Sequence, residues 1–264
     1  IKALVDVFNA KDKKDLVDVR YKLVTFATNA SVKTLEWQKG DTFYKNYVKD
    51  LGADGGTNYD QGLTKGKDAI DSGRSEAKKV VIFLTDGNPT FYGTNPENRN
   101  CGSHTTVNVL NAALNSAAGI VCSDFYAVGL KLSDGVEIYK QDAYDVWEWH
   151  GDRTVSETIS GLTLLDRIKG KVNAANKEAW NLTDASTLTD KFQEIAGETL
   201  TAACTNVVIT DQLSDYVDVT NNSKLSVKIA ERATNGTYTD LYSQQFELAT
   251  GGTINFNNEE IATV

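Results

Sequence analysis

The chain has 264 residues, 41% hydrophobic and 24% charged, enough for one large domain or a domain plus a smaller one, and too apolar for general disorder. Its net charge of -9 argues against a nucleic-acid backbone or an anionic membrane as partner, since both need clustered Lys and Arg, and favours a cation or a basic protein surface. No run reaches the roughly eighteen apolar residues of a membrane span, and the first residues show no signal-peptide pattern.

In chain order, Leu4, Val5 and Phe8 share one face of an opening helix. That helix starts without an initiator Met or a cap, so the chain is expected to be a piece of a longer protein. Val19 to Ala27 alternates as a strand, and Ser31 to Trp37 reads as a second, shorter one. Phe43, Tyr47 and Leu51 have helical spacing and lead into a loop, Gly52 to Asp60, too rich in Gly, Asn and Asp for either regular element. Asn58 or Asp60 can cap the next helix, which carries Leu63, Lys67 and Ile70 to a stop at Gly73.

Val80 to Leu84 is an uninterrupted apolar run, β-branched and aromatic, closed by a polar turn. This is the pattern of a strand covered on both faces of a parallel sheet. Asp86 lies just past its carboxyl end, the edge where open α/β sheets bind ligands. A polar insertion, Phe91 to Ser103, precedes a helix over Thr105 to Ala118 and a strand over Ile120 to Leu130. The region from Ser133 to Leu165 fits no single element, and Trp147, Trp149 and His150 mark it as a second insertion that folds over the domain. Glu178 to Leu182 makes a last strand and Leu188 to Leu200 a last helix. The alternation predicts a doubly wound, mostly parallel sheet flanked by helices over 1–203.

From 204 to 264 the composition changes. Val207 to Ile209, Tyr216 to Val219, Leu225 to Ile229, Tyr242 to Leu248 and Thr253 to Phe256 are short alternating runs between Asn, Gly and Asp turns. They predict a partial all-β, immunoglobulin-like segment, shorter than the roughly 100 residues of a complete domain.

Thr57 and Asp86 would project from loops at the carboxyl edge of one sheet, a hydroxyl and a carboxylate. A hard divalent cation wants such oxygens in octahedral array, keeps some waters and takes one or two carboxylates. The plain alternative is that both residues cap turns. Cys101 and His104, with His150 as a second base, invite a nucleophile reading, but Cys-x-x-His inside a loop shows no third orienting group, and no catalysis is expected. The Gly52 to Gly56 loop lacks the dinucleotide-binding pattern. Trp147 and Trp149 could stack on a carbohydrate or form the insertion's own small core.

Gly55-Gly-Thr57-Asn58-Tyr-Asp-Gln-Gly62-Leu63 resembles the second loop of the metal-ion-dependent adhesion site in von Willebrand factor A domains, and Phe83-Leu-Thr-Asp86-Gly87 the third. Asn181 to Ala196 is similar to the family's final strand and helix. The resemblance covers about the first two hundred residues, with the landmarks in family order, and implies the doubly wound fold reached above. The family's first loop, Asp-x-Ser-x-Ser after the central strand, should precede Ile1 and does not occur here. A sheet without that strand would show two exposed edges and a large apolar slot. The upstream segment is therefore expected in the native protein, and without it a metal on Thr57 and Asp86 would be held weakly or not at all.

Asn206 to Val217 looks like the opening of the β-sandwich stalk in tip adhesins of sortase-assembled Gram-positive pili. This resemblance implies an extracellular, cell-wall-anchored pilus protein in contact with other pilus subunits. It would bind a host matrix protein of the collagen, fibronectin or fibrinogen type through Mg2+, Mn2+ or Ca2+ on Thr57 and Asp86, with Asn58, Asn88, Trp147 and Trp149 on the ligand side. A carbohydrate-binding module and a structural pilus subunit with an unused metal site are the alternatives. Three cysteines are too few for a disulfide scaffold. In a doubly wound topology Cys122 and Cys204 would both lie at the edge opposite the ligand, with Cys101 about twenty ångströms away across a helix, so a Cys122 to Cys204 disulfide is expected over three reduced thiols.

Overall fold

Strand β5 (Val121–Leu130) is the axis of the first unit because both of its faces are covered. The computed structural model describes residues 1–9, 18–52, 55–94, 102, 104–142, 153–203, 224–232, 238–247, 253–256 and 259–263. The chain divides into two units, Ile1–Cys204 and Thr205–Val264. In the first, β5 pairs in parallel with β3 (Val80–Thr85) on one side and β8 (Asn173–Leu182) on the other. Phe125 and Ala127 point to one face, where they meet Leu63 and Ile70 of α3 (Tyr59–Asp71), Leu110 and Ala113 of α4 (Val107–Ala118), and Leu164 and Ile168 of α5 (Gly161–Lys171). Tyr126 points to the other, against Leu4 and Phe8 of α1 (Lys2–Phe8) and Phe192 and Ile195 of α6 (Ala185–Ala203). Each large apolar side chain so enclosed stabilises the fold by about 1.5–3 kcal/mol. This is the doubly wound arrangement expected from the sequence.

The helices begin where a side chain can accept their first free N–H groups. Asn58 accepts from Gln61 N for α3, Thr106 from Val109 N for α4, and Ser160 from Thr163 N for α5. Asp184 accepts from the backbone N–H groups of Ser186 and Thr187 at 2.9 Å, and hydrogen bonds from these residues hold its carboxyl down at about 2.

Several boundaries differ from the sequence reading. The first expected strand shrinks to β1 (Val24–Phe26), paired antiparallel with β2 (Ala30–Val32), and upstream of it, among the described residues, only Tyr21 bridges, to Gln38. The helix expected near Phe43 is α2 (Gly40–Phe43) running into a π-helical turn, Tyr44–Val48. Within the region read as an irregular insertion, β6 (Val136–Tyr139) pairs antiparallel with β7 (Val155–Ile159) and parallel with β4 (Thr105–Thr106), and α5 begins at Gly161. Strand β8 starts at Asn173 rather than Glu178, since its first half carries exposed polar residues that hid the strand pattern. Trp147, Trp149, His150, Cys101 and Cys204 lie outside the described residues. Cys122 is half-buried, and burial, with Asp124 nearby, pushes its thiol up to about 11; the expected pairing with Cys204 therefore also falls outside them.

Between β1 and β3 runs a cleft of about 1540 Å³. Val24, Phe26, Val80, Ile82 and Leu84 line its sides, Leu4, Phe8 and Phe192 one face, and Leu63 and Ile70 the other. Among the described residues, neither the outer edge of β3 nor that of β1 has a partner strand. The second unit contains the antiparallel pairs β9 (Lys224–Arg232) with β10 (Tyr238–Glu247) and β11 (Thr253–Phe256) with β12 (Glu259–Thr263). The runs expected at Val207 and Tyr216 lie outside the described residues.

The chain leaves β5 through Lys131, whose φ of 57° is a left-handed conformation that side chains resist. Asn181 fixes that turn: its Oδ1 accepts from Leu132 N and its Nδ2 donates to Leu132 O, both at 2.9 Å. Asn181→Ala leaves both backbone groups unsatisfied, and a loss of about 1–3 kcal/mol is expected in urea unfolding; a change under about 0.5 kcal/mol would show that the clamp contributes little.

Candidate metal centre

The carboxyl edge of the sheet is built by two loops that hold each other. Gly55, with φ of 83°, turns the first loop in a conformation that only glycine adopts freely, and a Cβ on Gly56 would meet the Phe91 ring at 2.4 Å. Thr28 fastens this loop to the end of β1: its hydroxyl accepts from Gly56 N at 3.0 Å and its carbonyl from Asn58 Nδ2 at 3.0 Å. Thr57 then bridges to the segment after Pro89. Its N–H donates to Thr90 Oγ1 at 3.0 Å, and its carbonyl accepts from Thr90 N at 2.7 Å and Phe91 N at 3.1 Å. Asp60 accepts from Gly93 N at 2.8 Å and from Ser116 Oγ, tying the same segment to α3 and α4.

The second loop turns at Asp86 and Gly87 directly after β3. The Gly87 carbonyl accepts from Tyr59 Oη at 2.7 Å and from Thr85 Oγ1 at 2.9 Å. A Cβ on Gly87 would lie 3.0 Å from Thr57 Oγ1, so glycine lets the two loops close on each other. Thr57 is half-buried and Asp86 exposed, and both line the end of the cleft beside β3. Asn88 Oδ1 is buried with no hydrogen-bond donor. Hydroxyl, carboxylate and carboxamide oxygens form a hard donor set that suits Mg2+, Mn2+ or Ca2+ better than zinc. Three such oxygens would be only part of a coordination shell, and among the described residues no three His, Cys, Asp or Glu side chains converge.

Of the residues expected at the site, Thr57, Asp86 and Asn88 are brought to one edge. Asn58 is fully buried; its Oδ1 caps α3 and its Nδ2 donates to the Thr28 and Gly93 carbonyls, so it shapes the loop. Trp147 and Trp149 lie outside the described residues. His104 packs edge-on against Tyr139 with ring centroids 5.0 Å apart, and burial, then Arg153, lowers its pKa. With Thr57, Asn88, Thr90, Glu137 and Tyr139 it lines a recess of about 520 Å³ beside the same edge. The support residues Thr28 and Thr90 carry no signal in the sequence, because a Thr in a loop reads as solvated until its partner is placed.

Burial raises the pKa of Tyr59 well above the ordinary 10, with the nearby Asp86 carboxylate adding to the effect. The folded protein therefore holds this phenol neutral where the unfolded chain ionises, so its contribution is complete below pH 10 and lost as pH rises further. Tyr59→Phe removes one donor to Gly87, with an expected cost of about 1 kcal/mol at pH 7. That deficit should shrink in unfolding measurements above pH 10, since the variant lacks the ionising group; a constant deficit would contradict the burial argument.

Residues 1–88 match the model of the von Willebrand factor type A domain family. No curated protein sequence matches the chain. Among solved structures, a point-mutant form of the PilB minor pilin from Streptococcus sanguinis is 17% identical with a TM-score of 0.50, over 76% of this chain and 53% of that one. The pilus adhesin SpaC from Lactobacillus rhamnosus GG is 17% identical with a TM-score of 0.52, over 88% of this chain and 32% of that one. The chain thus spans about half the length of the pilin and a third of the adhesin, and at these identities the likeness is one of fold. Family match and fold agree: the α/β unit has a von Willebrand factor type A-like fold, with the family match over residues 1–88.

Proposed function

We propose that this unit is the ligand-binding head of an extracellular, pilus-type surface adhesin that takes a host matrix protein through a divalent cation at Thr57 and Asp86. The observation that carries the reading is the closure of the two loops at Gly87, where the Thr57 hydroxyl lies against the backbone of the residue that follows Asp86. Thr57 Oγ1, Asp86 and Asn88 Oδ1 would hold Mg2+ or a similar ion, which when bound supplies an electrophilic site for an acidic side chain of the partner. The cleft supports a source for the remaining donors: a strand seated parallel to β3 would end beside Gly55, Thr57 and Asp86, all of which line it, and deliver its following loop to the ion. The cell-wall anchor and contacts with other pilus subunits belong to the same proposal, on the fold likeness to the pilin and the adhesin. No catalytic role is proposed.

A second reading, a glycan-binding surface, draws on the recess lined by Asn88, His104, Glu137 and Tyr139, where carboxylate, carboxamide and aromatic groups stand together. The two readings separate cleanly. The full-length protein is assayed against immobilised collagen, fibronectin, fibrinogen and a glycan panel, in Mg2+ and in EDTA, beside Asp86→Ala and Glu137→Ala. Matrix-protein binding that falls at least about tenfold in EDTA and in Asp86→Ala, a loss of about 1.4 kcal/mol, supports the adhesion site. Binding unchanged by both removes it, and glycan binding sensitive only to Glu137→Ala establishes the second reading.

A further inference from the structure

Among the described residues the dipeptide Asp-Gly occurs twice, at 86–87 and at 134–135. In this dipeptide a carboxyl carbon lies one rotation away from the next backbone nitrogen, and glycine has no Cβ to shield that nitrogen. At 134–135 both flanks are anchored: the Ser133 carbonyl accepts from Gly161 N at 2.7 Å, and Val136 pairs with Ile159 at the start of β6. Between these anchors Asp134 and Gly135 are exposed, and no donor among the described residues meets the Asp134 carboxylate. A Cβ on Gly135 would find only Thr158 Cγ2, at 4.0 Å, so the turn has room to rotate. The Gly135 N–H donates to Ser133 Oγ at 3.1 Å, an exposed bond that water replaces at little cost. Asp86 is exposed too, but the glycine after it is gripped. The Gly87 carbonyl accepts from Tyr59 Oη at 2.7 Å and Thr85 Oγ1 at 2.9 Å, its N–H donates to Thr85 Oγ1 at 3.3 Å, and a Cβ there would lie 3.0 Å from Thr57 Oγ1. Rotation of the Asp86–Gly87 peptide breaks these contacts together.

We propose that Asp134 is a site of spontaneous conversion to isoaspartate, and that the frame around Gly87 spares Asp86 the same reaction. The Gly135 nitrogen attacks Asp134 Cγ. The N–Cγ bond forms and a Cγ–O bond breaks, and the oxygen leaves as water with the amide proton and one proton from solvent. Water then adds to the Asp134 main-chain carbonyl of the resulting imide, the bond from that carbon to nitrogen breaks, and the chain runs on through Cβ and Cγ. Nothing is oxidised or reduced, and the mass ends where it began. The product carries one more backbone carbon just ahead of β6, a covalent change that no side-chain substitution imitates. Gly135, Val136, Glu137 and Tyr139 line the recess beside Thr57 and Asn88, so the longer turn moves the wall of that recess. The conversion needs no bound cation and no partner, and so it stands apart from the adhesion reading.

The test is peptide mapping by mass spectrometry, with electron-transfer fragmentation to tell isoaspartate from aspartate. The full-length protein is held at neutral pH in EDTA, so that no cation shields Asp86, and sampled over time beside Gly135→Ala, whose methyl the open turn accepts. The expected result is isoaspartate that accumulates at Asp134 at least about tenfold faster than at Asp86, and more slowly in the variant than in the wild-type protein. In urea the contrast between the two sites should vanish, because both dipeptides are then unconstrained. Aspartate unchanged at Asp134 overturns the proposal, and a wild-type rate in Gly135→Ala overturns the route through the glycine nitrogen. Equal accumulation at both sites in the folded protein, or a contrast that persists in urea, overturns the role given to the frame around Gly87.

Discussion

Two-sided burial of β5 is the constraint on which the first unit depends. A parallel strand with a partner on each edge and helices on each face has no surface left for water, so every residue from Phe125 to Val128 must be apolar or satisfied. Asp124, at the start of this stretch, meets the requirement through Lys78 and Asn176. The crossover helices follow from the same condition, because parallel neighbours can be joined only by a return over a face, and α4 and α5 cover the face that Phe125 and Ala127 present. Once the strands are parallel, all of their carboxyl ends point one way. The loop after β3 carries Asp86 to that edge, and Thr57, just ahead of α3, is brought there by the bonds of its loop to Thr28, Thr90 and Phe91.

The edge itself is made rigid by backbone groups more than by the side chains that would touch a ligand. The Gly87 carbonyl is held by Tyr59 and Thr85, the Thr57 carbonyl by two successive N–H groups, and Gly93 N by Asp60. Thr57 and Asp86 are thereby placed by their neighbours at the end of the cleft. A site arranged in this way spends its stability on the frame and keeps its donors for chemistry.

Much of this was legible in the sequence where one physical signal dominated. The apolar run from Val80 to Leu84 could only be an enclosed strand, and Asn58 ahead of a 3.6-residue pattern announced a helix start. Strand β8 was read short because Asn173, Asn176 and Lys177 face water on an edge strand, and half-exposed strands lose the apolar signal. The β6 and β7 ribbon was missed for a related reason: its pairing partner lies across residues 143–152, and register between distant segments leaves no periodic trace. At the site, Asp86 was visible as a loop residue past a strand end, and Thr57 in a Gly-, Asn- and Asp-rich loop ahead of a helix. Tyr59 could be seen only as a core aromatic, since its bond to Gly87 belongs to the fold rather than to any motif.

Phe26, Tyr59 and Phe83 form a closed aromatic set: Phe26 stacks on Phe83 with centroids 5.3 Å apart, and Tyr59 stands edge-on to both, at 6.0 and 4.9 Å. Phe26 belongs to β1 and Phe83 to β3, so the set spans the two banks of the cleft, while the Tyr59 hydroxyl reaches the turn that carries Asp86. Width of the cleft and posture of the turn are therefore one mechanical variable. A displacement of β1 that tilts Phe26 tilts Tyr59 with it and slackens the Gly87 carbonyl, which makes the cleft the lever and the carboxyl edge the load.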